Sequence, residues 1–172
     1  MHTYMEEILA LPPDEIEALR QHYLEAYGTT LRGLQIHYQI DSEKYLAYVH
    51  DLPLAEFIQP DPALGKLLAT LPQRKLIFTN ADVNHARRVL KVLQLGDVFD
   101  QIIDIRALDF VCKPDPEAYH RALAIAGGSD PEECILFDDA MRNLLPAKEQ
   151  GWYTVLVGRD RANETANLSI SS

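Results

Sequence analysis

Three short clusters bring together residue types that handle anions and cations. Thr79-Asn80 ends the apolar run Lys75-Leu76-Ile77-Phe78, Lys113-Pro114 follows Cys112, and Asp138-Asp139 ends Cys134-Ile135-Leu136-Phe137, with Asn143 on the segment that follows. In open parallel sheets ligands sit at the carboxyl ends of strands, so polar residues that close apolar runs are the first candidates for a site. A hydroxyl and an amide ahead of a helix can hold an anion, and equally can be a plain N-cap. Lys113 taken alone is either a point charge for an anion or a solvated surface residue. Asp138-Asp139 is more pointed: adjacent carboxylates after a buried run repel each other unless a cation lies between or beside them, which puts a metal ahead of a plain turn.

Two further residues carry weaker signals. Arg32 lies in the Gly-punctuated stretch Gly28 to Gly33, where a guanidinium can contact a phosphate, a base edge or a carboxylate, or simply be solvated. His85 follows Thr79 closely enough to face the same cleft, or lies on a helix surface. Tyr23, Tyr27, Tyr38, Tyr45 and Tyr48 can stack on a base, although Tyr23 and Tyr27 at helical spacing fit a core equally well.

The elements that must position these residues fall into two patterns. From Met1 to about Leu71 apolar residues recur at helical spacing, with helices expected over 14–27, 43–50 and from Asp61-Pro62 to Leu68. After Leu71, short apolar runs alternate with amphipathic stretches. Strands are expected at 75–78, 102–105, 134–137 and 153–157. Helices are expected around Ala86-Val89-Leu90-Leu93, where Arg87, Arg88, Lys91 and Gln94 make the outer face, and from Asp115-Pro116 to Gly127-Gly128. Pro146 is expected in the first turn of a last helix. That alternation predicts an α/β fold, a parallel sheet with helices on both faces, preceded by an all-helical lobe. The organisation read from it is a helical region over 1–71, an α/β core over 72–160 and a polar tail over 161–172.

Composition narrows the partners. The 172 residues carry 16 Lys and Arg against 26 Asp and Glu, a formal charge of −10, with no basic run, which disfavours binding to a nucleic-acid backbone. No apolar stretch approaches the roughly 18 residues of a membrane span, and no leader pattern opens the chain. Cys112 and Cys134 have neither metal spacing nor a disulfide ladder, and are expected to be reduced core residues of a cytoplasmic protein.

The ordered set Phe78-Thr79-Asn80-Ala81, Cys112-Lys113-Pro114-Asp115 and Phe137-Asp138-Asp139 with Asn143 resembles the second, third and fourth motifs of the haloacid dehalogenase-like superfamily of aspartate-nucleophile hydrolases. Tyr27-Gly28-Thr29-Thr30-Leu31-Arg32-Gly33-Leu34, with Thr79-Asn80 and His85-Ala86, is similar to the pyrimidine 5'-nucleotidase branch, and the helical lobe to a family cap. The resemblance implies a phosphomonoesterase acting on a nucleoside 5'-monophosphate through an aspartyl-phosphate. It assigns Lys113, Thr79 and Asn80 to catalysis and the phosphate cradle. Asp139, Asp138 and Asn143 are assigned to Mg²⁺, and Arg32 and His85 to substrate. A small phosphomonoester is the implied partner, and the oligomeric state is left open.

One family feature is absent. No Asp-x-Asp occurs in the chain, whereas family members carry one at the end of a first, central strand, its first aspartate the nucleophile and its second the general acid and base. Asp104 sits in an apolar run but at the family's third-strand position, and is read as structural. Without the central strand, the strand at 76–78 is expected either to be separated from that at 135–137, leaving unpaired groups at roughly 1 to 3 kcal/mol apiece, or to close onto it in a four-stranded sheet. Tyr4, Ile8 and Leu9 resemble the interior of a cap helix, so the chain is expected to be a fragment or to start at an internal methionine, and to be inactive as it stands. The alternatives are a non-catalytic protein that keeps the phosphate or nucleotide cradle and, less favoured because it does without a metal, a dehalogenase.

Overall fold

The computed structural model describes residues 1–128, 130–158 and 166–170. The chain divides into two compact units, Met1–Phe110 and Val111–Ser172.

In the first unit a π-helical turn at Tyr4–Ile8 precedes five α-helices: α1 (Pro13–Tyr27), α2 (Thr30–Tyr38), α3 (Ser42–Val49), α4 (Leu54–Phe57) and α5 (Pro62–Thr70). Local chemistry sets their starts. Proline opens α1 and α5, where a missing N–H costs nothing, and Asp41 and Asp61 each accept two backbone N–H groups from the first turns of α3 and α5.

The Gly28-Thr29-Thr30 break is a tight joint between two helices. Gly28 ends α1 in the left-handed region at φ 80°, and the Thr29 hydroxyl then caps α2 by accepting from Arg32 N–H at 3.1 Å. Arg32, expected in a turn, therefore lies in the first turn of α2 with an exposed side chain. The absence of a side chain at Gly33 lets α1 and α2 close, since a Cβ there would stand 2.1 Å from Tyr23 Cγ. Met5, Ile16, Tyr23, Leu31, Leu34, Tyr45 and Leu46 fill this helical core.

β1 (Leu76–Phe78) and β2 (Gln101–Ile103) then pair in parallel from Leu76↔Gln101 to Phe78↔Ile103, with α6 (Val83–Val92) as the crossover. α6 buries Ala86 and Leu90 and exposes Arg87, Arg88 and Lys91, as its periodicity requires. β2 stops before Asp104. That carboxylate accepts from Val83 N–H at 2.8 Å and Ala107 N–H at 2.9 Å, so it ties the strand end to α6.

The second unit contains α7 (Pro116–Ile125), a 3₁₀ turn at Pro131–Glu133, β3 (Ile135–Asp138), α8 (Met141–Glu149), β4 (Tyr153–Val157) and β5 (Leu168–Ile170). The strands form a parallel sheet in the order β3-β4-β5. β5 falls within the stretch read as a polar tail, of which 161–165 and 171–172 lie outside the described residues. It is seated by Asn167, whose Oδ1 accepts from Thr154 N–H at 2.9 Å and Thr154 Oγ1–H at 2.8 Å. Pro146 lies inside α8 rather than in its first turn, because the helix already begins at Met141.

The described strands form two parallel sheets, β1-β2 and β3-β4-β5, and not one four-stranded sheet. β3 is an edge strand. Leu136 is buried, whereas Ile135 and Phe137 on the opposite face are 57% and 59% exposed, so a run that reads as buried on both faces is covered on one. Among the described residues no helix is long and apolar enough to cross a membrane, and Cys112 is buried and Cys134 partly so.

Candidate active site

The second unit assembles one constellation around the end of β3. Lys113 is almost wholly buried, and its Nζ donates to Asp138 Oδ2 at 2.7 Å. Asp138 Oδ1 accepts from Ala140 N–H and from Asn143 Nδ2, each at 2.9 Å. The carboxylate that the sequence left facing its neighbour's charge thus has a protein cation of its own, in Lys113. α8 makes this possible by starting right after Ala140, which places Asn143 in its first turn beside the strand end. Below it, Tyr119 O–H donates to Asn143 C=O at 2.5 Å; burial first, and then the Asp138 charge, push that phenol above its usual range.

Asp139 is exposed, and Asn143 Oδ1 is buried with no hydrogen-bond partner. A buried acceptor left unpaired costs about 1–3 kcal/mol unless something outside the protein satisfies it. Asp139, Asp138 and the Asn143 amide are all hard oxygen donors, and Mg²⁺ binds through one or two carboxylates while keeping several waters, so these residues fit that ion. Among the described residues no three His, Cys, Asp or Glu side chains converge as a closed metal cage.

The first unit carries the other candidates. Thr79 and Asn80 follow β1 directly; Thr79 N–H donates to Ile103 C=O at 3.0 Å, and Thr79 Oγ1 accepts from Ala81 N–H at 3.0 Å, which folds the segment into the start of α6. Asp82 caps that helix, its Oδ1 accepting from Asn84 N–H at 2.9 Å and His85 N–H at 3.1 Å. His50 Nδ1 lies 2.5 Å from Asp82 Oδ2, and the His50 and His85 rings stack with centroids 4.1 Å apart. Burial alone would raise the Asp82 carboxyl, but the His85 N–H, the His50 ring and the Asn84 N–H outweigh it and hold the group below the usual carboxylate range. Burial, and then the His50 charge, push the His85 imidazole down.

Arg106 completes the cluster. Its Nε and Nη2 grip both carboxylate oxygens of Glu43 on α3, while Nη1 lies 3.5 Å from Asp82 and 3.7 Å from Asp104. Glu43, foremost, pushes the guanidinium further above its already high range. Arg88 adds a second tie to the helical region, donating to the carbonyls of His50 and Leu52 at 2.7 Å each.

Of the residues singled out from sequence, Lys113, Asp138 and Asn143 are thus in direct contact, with Asp139 adjacent in the chain; Thr79, Asn80 and His85 share the β1-α6 segment, and Arg32 is exposed on α2, its backbone N–H donating to Thr29 Oγ1. His50, Asp82 and Arg106 were not legible as a cluster. Asp82 had a detectable signal as the N-cap of an amphipathic helix; His50, 32 positions earlier, had none.

The order of these motifs along the fold is matched elsewhere. Residues 4–151 match the haloacid dehalogenase-like hydrolase family. The chain belongs to that family. Among curated relatives, Phosphate metabolism protein 8 of Saccharomyces cerevisiae is 34% identical over 93% of this chain and 54% of its own length, so the chain spans about half of that relative. Among solved structures, L-2-haloacid dehalogenase from Xanthobacter autotrophicus aligns with a TM-score of 0.58 at 22% identity, over 88% of this chain and 64% of that one. A haloacid dehalogenase-like phosphatase from Thermococcus onnurineus aligns with a TM-score of 0.61 at 19% identity, over 98% and 81%. At these identities the two structures establish the shared fold.

Proposed function

We infer that this chain is the phosphate- and metal-handling part of a Mg²⁺-dependent phosphomonoesterase whose substrate is a nucleoside 5'-monophosphate. The observation that carries the reading is the buried Lys113–Asp138 pair beside the unpaired Asn143 Oδ1 and exposed Asp139. A phosphate monoester dianion resists an anionic nucleophile until positive charge surrounds it. Lys113 supplies one fixed cation, oriented by Asp138. Mg²⁺ on Asp139, Asp138 and the Asn143 oxygen would supply the rest, by neutralising phosphoryl charge. Thr79 and Asn80, ahead of α6, hold phosphoryl oxygens where the helix dipole favours an anion. Arg32 and His85 are read as substrate contacts, and residues 1–71 as the cap that limits water. The name of the yeast relative and the phosphatase among the fold neighbours agree with phosphate chemistry.

Within these 172 residues there is no Asp-x-Asp, so an aspartyl-phosphate has no nucleophile to form on, and the chain by itself is read as inactive. That same absence favours a second reading, a non-catalytic phosphate- or nucleotide-binding protein. Mg²⁺-dependent phosphate release from a chromogenic phosphomonoester separates them. The assay compares the chain alone with the chain supplied with a strand ending in Asp-x-Asp. Turnover only in the supplemented form supports the phosphomonoesterase. Nucleotide binding without turnover in either form supports the second reading. Turnover by the chain alone, abolished by Asp139→Ala, would overturn the inactivity.

A further inference from the structure

We propose that Arg106 and His50 are positioning residues for the anion site at Thr79-Asn80, acting by engaging the two carboxylates built into the start of α6, Arg106 through its charge and His50 through its ring nitrogen. The proposal rests on the reading of Thr79-Asn80 as a phosphate cradle. A helix N-terminus attracts an anion, but this one already holds two buried carboxylates: Asp82, 6% exposed in its side chain, and Asp104, 8% exposed. Uncompensated, both would repel a phosphate dianion from Thr79 and Asn80, just ahead of Asp82 in the chain.

The geometry places an imidazole and a guanidinium against the obstacle. His50 meets Asp82 Oδ2 at 2.5 Å. Glu43 grips Nε and Nη2 of Arg106, which leaves Nη1 turned to Asp82 Oδ1 and Asp104 Oδ2. Glu43 itself is 61% exposed, so water screens its charge, and its part is to fix the plane of the guanidinium. The remaining charged or titratable neighbours are His85, stacked on His50, and Arg88, which is occupied by backbone carbonyls. α3 and the residue after it thus supply Glu43 and His50 from the helical region, and they set the electrostatic state of a segment more than thirty positions away.

A purely structural role and a charge-compensating role predict opposite results when the compensated carboxylate is removed. Inorganic phosphate is titrated into the 172-residue chain, and binding is followed by the amide resonances of residues 79–81. Arg106→Gln is expected to weaken phosphate by about tenfold or more, because it removes a full positive charge from beside Asp82 and Asp104. Arg106→Lys is expected to keep most of the affinity. Asp82→Asn placed on top of Arg106→Gln or His50→Gln is expected to recover the loss. If Asp82→Asn deepens the loss, or if the wild type binds and neither Arg106→Gln nor His50→Gln weakens it, the compensating role is overturned while the cradle stands. If the wild-type amides do not respond to phosphate, the cradle reading fails and this inference with it.

Discussion

Two acidic clusters close strands of this protein, and they are finished to different degrees. At the start of α6, Asp82 and Asp104 have every oxygen committed, to three N-terminal N–H groups of the helix, to Ala107 N–H, to His50 and to Arg106. At the end of β3, Asp138 is equally committed, but Asp139 is exposed and Asn143 Oδ1 is buried without a partner. A cluster whose oxygens all have internal partners builds the fold. An oxygen that the fold desolvates and then leaves unpaired is held for something from outside. The contrast separates scaffold from site more sharply than residue type does, since both clusters are made of the same acids.

The largest effect expected from breaking the contrast is at Lys113. Lys113→Met leaves Asp138 buried without its cation, and unfolding in urea is expected to show a loss of about 3–5 kcal/mol. Asp82→Ala removes a helix cap and strands His50; a loss of about 1–2 kcal/mol is expected by the same measurement.

Asp82 also makes a pH-dependent contribution. Its folded carboxyl lies below the usual range, so its stabilisation is complete above the unfolded carboxylate value of about 3.9 and disappears as pH falls through the folded value. Asp82→Asn should therefore be less stable than wild type at neutral pH, with the gap closing below about pH 4, as read from urea midpoints across that range.

Glu43→Gln loosens only the exposed half of the Arg106 bridge, and a loss of about 0.2–1 kcal/mol that shrinks in high salt is expected. The smallest stability effect belongs to the unfinished cluster. Asp139→Asn should change folding stability by less than about 0.5 kcal/mol, yet titration calorimetry should show Mg²⁺ binding lost. A large stability loss at Asp139, or unchanged Mg²⁺ binding, would erase the distinction between the clusters.

Local chemistry is why much of this was readable in advance. Asp41, Asp61 and Asp115 begin helices because a short carboxylate reaches the N–H groups of the first turn, and that preference is written within three residues of chain. β4 is found at 153–157, where its run of aromatic, β-branched and aliphatic residues places it. Asp138 stood out as a polar residue at the end of such a run, Asn143 on the segment after it and Lys113 before Pro114, and they meet. Other features had no local signature. β5 depends on Asn167 reaching Thr154, the uncovered face of β3 depends on what pairs beside it, and Pro146 lies inside α8 because the helix start is set by the end of β3.

Sequence alone therefore determined the kinds of chemistry available and the order in which they occur, because capping, periodicity and apolar runs act over a few residues at a time. Only the tertiary structure decided which charges answer one another. The Asp138 carboxylate found its cation in Lys113, 25 positions away, and Asp82 found His50 at a separation of 32, because Coulombic and hydrogen-bonding partners are chosen by distance in space, which chain separation does not encode.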